Sequence, residues 1–109
     1  MAIMHEGNSV VGTKFKLIIK MEPIGSYHLA DLDWEAKIFV ENGNRSAMVT
    51  KADARQVDQD SYIIPVDSRV VGPGKYFLTL SALIPDGDFP DGTRTEVKTM
   101  ATGVTINPK

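Results

Sequence analysis

The chain has 109 residues, of which 42% are apolar and 24% charged, and its formal net charge at pH 7 is −2. These values are ordinary for one globular domain, and the lack of a basic excess argues against a nucleic-acid partner. The chain contains no cysteine, which excludes disulfide bridges and thiolate metal sites.

Residues 1–12 are predicted to form a flexible N-terminal arm that precedes a single domain over residues 13–109. The arm lacks the apolar stretch of a secretory signal, and no other run approaches the roughly 20 apolar residues that cross a bilayer. We therefore expect no membrane partner. Val10 and Val11 suit addition to the sheet edge of a neighbouring subunit, although we favour a frayed terminus.

The predicted domain begins with a segment in which apolar and polar residues alternate with a period of two. Residues 13–21 place apolar side chains on one face and lysines on the other, which is typical of a half-buried strand. The lysines suit an outer strand that must not recruit another chain. Pro23 and Gly25 then predict a loop over residues 22–33.

A hairpin is predicted next. Residues 34–41 alternate again and form a second strand. Asn42 and Gly43 follow it, and both tolerate the positive φ angles of a two-residue hairpin turn. Residues 46–50 are the expected return strand.

The middle of the chain is less regular. Residues 51–60 show no sustained helical or alternating pattern, so we interpret them as a loop with room for a short helical turn. Residues 61–66 alternate and predict a strand. Because Pro65 lacks an N–H group, this strand is expected to lie at a sheet edge or to end there.

The longest β run follows a tight turn from Gly72 to Gly74. Residues 75–84 are apolar enough on both faces to form a central strand. Residues 85–92 are rich in proline, aspartate and glycine and predict a rigid acidic loop. Residues 94–106 supply the last strand, with a bend or bulge expected at Gly103.

These elements predict an all-β fold, an immunoglobulin-like antiparallel β-sandwich of about six to eight strands. A small barrel is the alternative at the level of fold. No long helical stripe and no internal repeat interrupts the pattern.

Catalysis is not indicated. The only histidines are His5 and His28, there is no cysteine, and no Gly-x-Ser-x-Gly motif accompanies them. A phosphate-binding loop is also absent, since no Gly-Lys-Ser/Thr follows the glycines. We predict no catalytic residues and no cofactor.

Two clusters are candidate metal sites. His28, Asp31 and Asp33 offer an imidazole and two carboxylates within six positions, but we favour a polar loop leading into the strand that follows. The other cluster lies in the acidic loop and consists of Asp86, Asp88 and Asp91. Pro90 and Val97 stand there at positions where a calcium loop needs ligands. Turn chemistry is the favoured interpretation there, and no metal is predicted.

Aromatic residues divide between strands and loops. Trp34, Tyr62, Tyr76 and Phe77 lie in alternating strands, where core burial is expected. Tyr27 and Phe89 lie in predicted loops and are better placed to contact a partner.

The second half of the chain carries a recognisable pattern of motifs. It consists of Asp58-x-Asp60-x-Tyr62, Val66-Asp67, Gly72-x-Gly74, Ile84-Pro85-Asp86-x-Asp88-Phe89-Pro90-Asp91-Gly92-x-Arg94-Thr95-Glu96-Val97 and Thr102-Gly103-Val104-x-Ile106. The pattern resembles small prophage-encoded proteins of gut bacteria, which look like the N-terminal immunoglobulin-like domain of siphophage upper baseplate proteins. The similarity covers residues 13–106 and is most specific over residues 58–106.

The resemblance implies a structural part of a phage tail or baseplate, with no cofactor and no catalytic residues. Its partners would be other tail or baseplate proteins, or further copies of itself. Such a part assembles in the host cytoplasm and ends in the virion. A cell-surface adhesion or carbohydrate-binding module is the alternative, which would be located at the cell surface.

A candidate interaction loop follows from its two prolines, which reduce the entropy lost on docking. The residues assigned to this loop are Asp86, Asp88, Phe89, Asp91, Arg94 and Glu96. The competing interpretation is that Asp91, Arg94 and Glu96 only close the loop through local ion pairs, each worth about 0–1 kcal/mol when exposed.

Overall fold

Strands account for most of the computed structural model, which describes residues 2–3, 7–41 and 43–108. The strands are β1 (Ala2–Ile3), β2 (Gly7–Val10), β3 (Lys14–Lys20), β4 (Asp33–Val40), β5 (Ser46–Thr50), β6 (Arg55–Asp58), β7 (Ser61–Asp67), β8 (Gly74–Pro85) and β9 (Thr93–Asn107). The helical elements are α1 (Ser68–Val71) and two 3-10 turns, Leu29–Asp31 and Lys51–Asp53. Within the described part of the chain, no helix has the length and apolarity needed to span a membrane.

Two sheets pack face to face. The four-stranded sheet has the order β1-β3-β7-β6, and the five-stranded sheet has the order β2-β9-β8-β4-β5. Every described pairing is antiparallel except that of β2 with β9. In the lettering of immunoglobulin domains, β3, β7 and β6 are strands B, E and D, while β9, β8, β4 and β5 are strands G, F, C and C′. The predicted immunoglobulin-like sandwich is confirmed.

The predicted six to eight strands correspond to the seven from β3 to β9, and the N-terminal residues add two more. β1 pairs with β3, and β2 runs parallel to the end of β9. Residues expected as a flexible arm therefore join both sheets, and β2 extends the edge of its own chain rather than a neighbour's. Short segments held by backbone hydrogen bonds need no apolar periodicity, so no pattern marked them.

The middle of the chain differs from the prediction in one strand. β6 occupies part of the stretch interpreted as a loop, and all four of its side chains are exposed, so it has no alternation to detect. Its presence makes β7 an inner strand rather than an edge. Pro65 is tolerated because β6 begins opposite Ile63 and does not reach the proline, which therefore has only β3 beside it. Asn42, in the predicted hairpin turn, lies outside the described residues.

The β8–β9 hairpin confirms the prediction for the last third of the chain. β8 is central, with β4 on one side and β9 on the other. The pairing shifts between Lys75–Thr105 and Phe77–Ala101, so β9 carries a bulge at that point. Gly103 lies inside the bulge with a φ of 82°. The hydroxyl of Thr102 donates to the carbonyl of Tyr76 at 2.9 Å and fills the gap that the bulge opens in the ladder.

The core lies between the sheets and is built from the inward faces of both. Two pairs of aromatic rings pack in the core. The ring centroids of Phe15 and Tyr76 are 5.7 Å apart, and those of Trp34 and Tyr62 are 5.0 Å apart in an edge-to-face contact. Apolar side chains occupy the remaining core positions, including Leu17, Ile19, Ile38, Ile64, Leu78, Leu80 and Ile106. The chain thus achieves with packing alone what antibody domains reinforce with an inter-sheet disulfide.

A short helical corner joins the sheets between β7 and β8. α1 follows β7 directly and ends at Gly72, which has a φ of 94°. The hydroxyl of Tyr76 donates to the carbonyl of Gly72 at 2.7 Å. This arrangement is the tyrosine corner of immunoglobulin-like sandwiches, and it lies two residues before Leu78, where antibody domains have a cysteine.

Asp67 caps the start of α1. Its Oδ1 accepts from the backbone N–H of Arg69 at 3.0 Å, and its Oδ2 accepts from the Arg69 guanidinium at 2.9 Å. The side-chain hydrogen bond to Arg69, followed by the backbone one, lowers the pKa of Asp67 from 3.8 to about 2. The ionised carboxylate is therefore favoured in the folded state.

Replacing Asp67 with asparagine is expected to reduce the acid sensitivity of folding. Because the folded pKa lies below the unfolded one, this group stabilises the fold above about pH 4 and loses that contribution as the pH falls towards 2. Urea midpoints at about pH 5 and about pH 3 should differ less in Asp67→Asn than in the unsubstituted chain. Asp88→Asn, in an exposed loop, is the control. An unchanged pH dependence in Asp67→Asn contradicts this assignment.

Candidate interaction surface

The loop between β8 and β9 extends the longest hairpin of the molecule. The two strands remain paired as far as Pro85 and Thr93. Beyond them, the Asp86 N–H donates to the Gly92 carbonyl at 2.8 Å and closes the loop. Inside it, the Gly92 N–H donates to the Phe89 carbonyl at 2.9 Å. The loop is therefore a hydrogen-bonded turn on a rigid base.

Aspartates in the loop act as turn acceptors. Oδ1 of Asp86 accepts from the Asp88 N–H at 3.0 Å, and Oδ1 of Asp91 accepts from the Thr93 N–H at 3.3 Å. These bonds are the turn chemistry that aspartate beside glycine and proline predicts. Among the described residues, no group of three or more histidine, cysteine or acidic side chains is arranged to hold a metal ion.

A row of alternating charges supports the base of the loop. Arg94 Nε lies 3.3 Å from Asp86 Oδ2, and Arg94 Nη1 lies 3.5 Å from Glu96 Oε2. Lys98 Nζ is 4.0 Å from the other Glu96 oxygen. The predicted local ion pairs therefore involve Asp86 in place of Asp91, which instead caps the first residue of β9. Each pair is partly exposed and worth about 0–1 kcal/mol.

The same charges protect a free sheet edge. In the part of the chain that the structure describes, β2 pairs with β9 over Gly7–Val10, opposite residues 104–107, and the outer edge of β9 has no neighbour from Thr93 to Ala101. Arg94, Glu96 and Lys98 lie on the inward side of this edge, opposite core positions of β8. Charges that point inwards discourage another strand from adding to an edge.

Phe89 is the contact residue that the loop offers. Its side chain is 47% exposed, and it is the only exposed aromatic ring among the described residues. Asp88 beside it is also exposed, whereas Asp86, Arg94 and Glu96 are partly buried. Of the six predicted loop residues, Arg94 contacts both Asp86 and Glu96, and Asp88 and Phe89 face solvent.

The first metal candidate does not assemble. Nδ1 of His28 lies 3.0 Å from Asp60 Oδ1, so the ring is held by the turn between β6 and β7. Asp31 instead accepts from the His28 backbone N–H at 2.9 Å, while Asp33 is exposed at the start of β4. This is the polar loop that the sequence favoured. It ties the β3–β4 connection to the β6–β7 turn.

A second surface, which the sequence analysis missed, covers the solvent side of the five-stranded sheet. This outer face consists of alternate residues on β5, β4, β8 and β9, and it exposes three large apolar side chains: Met48 at 53%, Leu83 at 44% and Val97 at 58%. Phe77, predicted to lie in the core, is half-buried here and stacks on Phe39 with centroids 5.8 Å apart. The core prediction holds for Trp34, Tyr62 and Tyr76, but it is wrong for Phe77.

From the Leu83 end as far as the phenylalanine stack, charge on the outer face is confined to β4, where Asp33, Glu35 and Lys37 point outwards between the uncharged outward positions of β8 and β5. The outward positions of β8 and β9 between Phe77 and Leu83, and between Thr95 and Ala101, carry no charged residue. At the Leu83 end lies a depression of about 330 Å³, lined among others by Asp33, Glu35, Thr50, Ser81, Leu83 and Thr95. By contrast, the outward side of β3 presents exposed lysines. Depletion of charged residues, as on the β8–β9 part of this face, is typical of the centre of a protein interface.

No protein-family model, no curated protein and no solved structure matches the chain.

The two surfaces are therefore interpreted from the chain's own geometry. The interaction loop was detectable in the sequence because proline, aspartate and glycine mark turns directly. The outer face was not detectable in the same way. Its residues come from four strands, and which strands become neighbours depends on pairings between residues that are far apart in the sequence.

Proposed function

We propose that this chain is a non-catalytic structural module that works by binding other proteins, as a component of a phage or prophage tail or baseplate. The observation that carries the proposal is the β8–β9 loop, which holds an exposed phenylalanine on a hydrogen-bonded and ion-paired base. The resemblance of residues 58–106 to prophage-encoded proteins supplies the tail assignment. Its partners are other tail or baseplate proteins, or further copies of the chain.

The loop suits docking because it would lose little conformational freedom when a partner binds. Backbone bonds within residues 86–92 and the Asp86–Arg94 contact fix its shape before any partner arrives. Affinity gained by preorganisation in this way needs few new contacts. A large aromatic ring at the centre of such a contact commonly dominates its binding energy.

Catalysis is not part of the proposal. His28 is the one histidine in the described residues, and its Nδ1 is engaged by the carboxylate of Asp60. The hydrogen bonds of this part of the chain include none between a serine or threonine hydroxyl and the imidazole ring, so no nucleophile–base pair is assembled there.

A carbohydrate-binding or adhesion module at the cell surface is the second candidate. Exposed Phe89 favours it, since an aromatic ring can stack on the apolar face of a sugar. A sugar platform usually needs more than one ring, and Tyr27, the other loop aromatic, is half-buried against the core. The protein-binding proposal requires only the single anchor that the loop offers.

Mass spectrometry of particles purified after prophage induction of the source cells tests the proposal directly. We expect the chain at a constant ratio to known tail proteins. Such particles would assemble in the cytoplasm and carry the chain into the virion. Recovery of the chain with the cell envelope, and its absence from intact particles, would overturn the proposal in favour of adhesion.

The loop itself is tested by Phe89→Ala. Removing a central aromatic anchor is expected to reduce incorporation into particles by at least tenfold, as for an interface residue worth roughly 2 kcal/mol. Val57→Ala is the matched control because Val57 is also a large exposed apolar residue, 54% exposed, on the far strand β6. Both variants should unfold at the same urea concentration as the unsubstituted chain. Normal incorporation of Phe89→Ala and of Arg94→Ala would remove the loop from the proposal.

A further inference from the structure

A groove with lysines on its rim lies on the four-stranded sheet, over the ladder between β3 and β7. This lysine groove has a volume of about 330 Å³. It is lined by three successive pairs of the two strands: Lys14 with Asp67, Phe15 with Val66, and Lys16 with Pro65. Both lysines and Pro65 are exposed, so the groove opens on the solvent side of the sheet.

The groove is positively charged once the charges of its sheet are paired off. The charged residues of β3, β6 and β7 are Lys14, Lys16, Lys20, Arg55, Asp58 and Asp67. Asp67 is bound by Arg69 from α1, with 2.9 Å between Nη2 and Oδ2, while Lys20 and Asp58 lie on either side of Ser61 and offset each other. Lys14, Lys16 and Arg55 form no ion pair within the described residues.

The interaction loop has the complementary composition. Of its carboxylates, Asp86 is engaged by Arg94, whereas Asp88 and Asp91 are exposed and form no ion pair within the described part of the chain. These two lie on either side of exposed Phe89 in the sequence, and no lysine or arginine occurs between Pro85 and Arg94. An apolar ring flanked by two carboxylates thus matches a partly apolar groove flanked by two lysines.

The loop and the groove lie at opposite ends of the molecule. The groove is at the α1 end, because Asp67 directly precedes α1 and the Ser68 N–H donates to the Thr13 carbonyl beside Lys14. β8 starts just after α1 and runs for 12 residues before the loop begins, which at about 3.3 Å per residue separates the two features by roughly 35 Å. The loop therefore cannot reach the groove of its own chain, whereas the loop of another copy can.

We propose that the interaction loop of one copy docks into the lysine groove of the next copy. Phe89 lies over the apolar part of the groove, and Asp88 and Asp91 lie beside the two lysines. The contact joins two different surfaces, so it is heterologous and repeats head to tail, as a ring if the rotation between neighbours closes and as an open filament if it does not. The inference rests on the proposed function, since it names the surface that receives the loop of that module.

Contacts between like surfaces fit less well. Two loops facing each other would place Asp88 and Asp91 against the same carboxylates of the other copy. Two grooves facing each other would oppose Lys14 and Lys16 in the same way. Like charges across an interface are unfavourable, so of these pairings only loop with groove gains from the charges of both surfaces.

Sedimentation velocity of the purified full chain tests the contact without any particle. One loop in one groove is a small interface, below the standard of about 800 Å² per partner, so we expect a dissociation constant in the micromolar range or weaker. Association should increase with concentration and decrease as salt is raised from about 0.05 M to about 0.5 M, because exposed charge pairs are screened.

Two variants remove the two sides of the contact separately. Phe89→Ala, and Lys14→Glu combined with Lys16→Glu, should each raise the dissociation constant by at least about tenfold. Lys37→Glu combined with Lys75→Glu is the control for the second variant, since it changes the net charge equally at exposed positions of the other sheet. Urea unfolding checks each variant, and Lys16→Glu alone, which faces Pro65 rather than a carboxylate, replaces the double change if that one is unstable.

Mixing the two variants tests the head-to-tail arrangement. The groove variant keeps an intact loop, and the loop variant keeps an intact groove. An equimolar mixture should therefore form a one-to-one dimer that grows no further, with a dissociation constant within about threefold of the original contact. A mixture that associates no better than its components overturns the loop-to-groove contact.

The remaining outcomes separate this inference from the proposed function. A monomer at every concentration, or an association that the groove variant leaves unchanged, overturns the inference. A monomer that enters particles, and whose Phe89→Ala variant does not, overturns the inference but supports the proposed function with a different protein as the partner of the loop. A chain that associates as expected and is absent from particles supports the inference and overturns the tail assignment alone.

Discussion

Replacing Gly74 with alanine is expected to destabilise the fold by about 2–5 kcal/mol. Gly74 opens β8 with a φ of 133°, which side-chain-bearing residues rarely adopt and which costs about 1–3 kcal/mol when they must. A Cβ at this position would also overlap Cγ1 of Val40. Val40 is buried and β-branched, so it has few rotamers to move into, and overpacking of this kind costs about 1–3 kcal/mol.

Urea unfolding measures this effect as a lower midpoint at constant slope. Gly87→Ala is the control, since a Cβ there meets no heavy atom within 4 Å, and it should change the free energy of unfolding by less than about 0.5 kcal/mol. Adding Val40→Ala to Gly74→Ala removes the overlap but not the backbone strain. The double variant should therefore lose less than the sum of the two single changes. A loss below about 1 kcal/mol for Gly74→Ala would contradict both causes.

The same contact has a consequence for the outer face. Val40 and Gly74 come close where β4 and β8 lie side by side, and the register of these strands sets the rows on the opposite side of the sheet. Glu35, Lys37 and the Phe39–Phe77 stack depend on that register for their order. A one-residue slip would move every side chain to the other face.

Much of the fold was predictable because alternation reports burial directly. β3, β4, β5, β7, β8 and β9 lie within one or two residues of their predicted bounds. In these strands one side meets the core and the other meets solvent, so a period of two appears in the residues. The glycine in the β9 bulge was predictable for a different reason, since bulges favour positive φ.

Three strands were not predicted. β6 exposes all four of its residues, and β1 and β2 are short segments that pair with β3 and β9. The residues of these strands show no alternation that distinguishes them from loops. The expected edge position of β7 was wrong for the same reason, because β6, which pairs with β7, was not predicted.

Of the two candidate surfaces, the interaction loop was predictable from the sequence and the outer face was not. The interaction loop depends on local turn chemistry, and its aspartates bond to backbone groups only two residues away. The outer face depends on which strands become neighbours and on the face that each one turns outwards. Those are long-range properties that the local pattern of residues does not report.

Replacing Tyr76 with phenylalanine is expected to cost about 1–3 kcal/mol, although only one oxygen is removed. The Tyr76 side chain is buried, and its hydroxyl donates to the Gly72 carbonyl at 2.7 Å and more distantly to the Ser68 carbonyl at 3.4 Å. Without it, the carbonyl at the end of α1 loses a buried donor. Tyr27→Phe, at a half-buried loop position, is the control and should change stability by less than about 0.5 kcal/mol.

The pH dependence identifies the hydroxyl as the cause. Burial is the main reason that the pKa of Tyr76 is raised above its usual value of 10.0, so the folded state favours the neutral phenol. This group therefore stabilises the fold below about pH 10 and loses that contribution as the pH rises towards the folded pKa. Urea midpoints should fall less steeply above pH 10 in Tyr76→Phe, and the slope that remains should come from Tyr62, whose pKa is also raised by burial. An equal alkaline loss of stability in Tyr76→Phe and Tyr27→Phe would contradict the assignment of the effect to the buried hydroxyl of Tyr76.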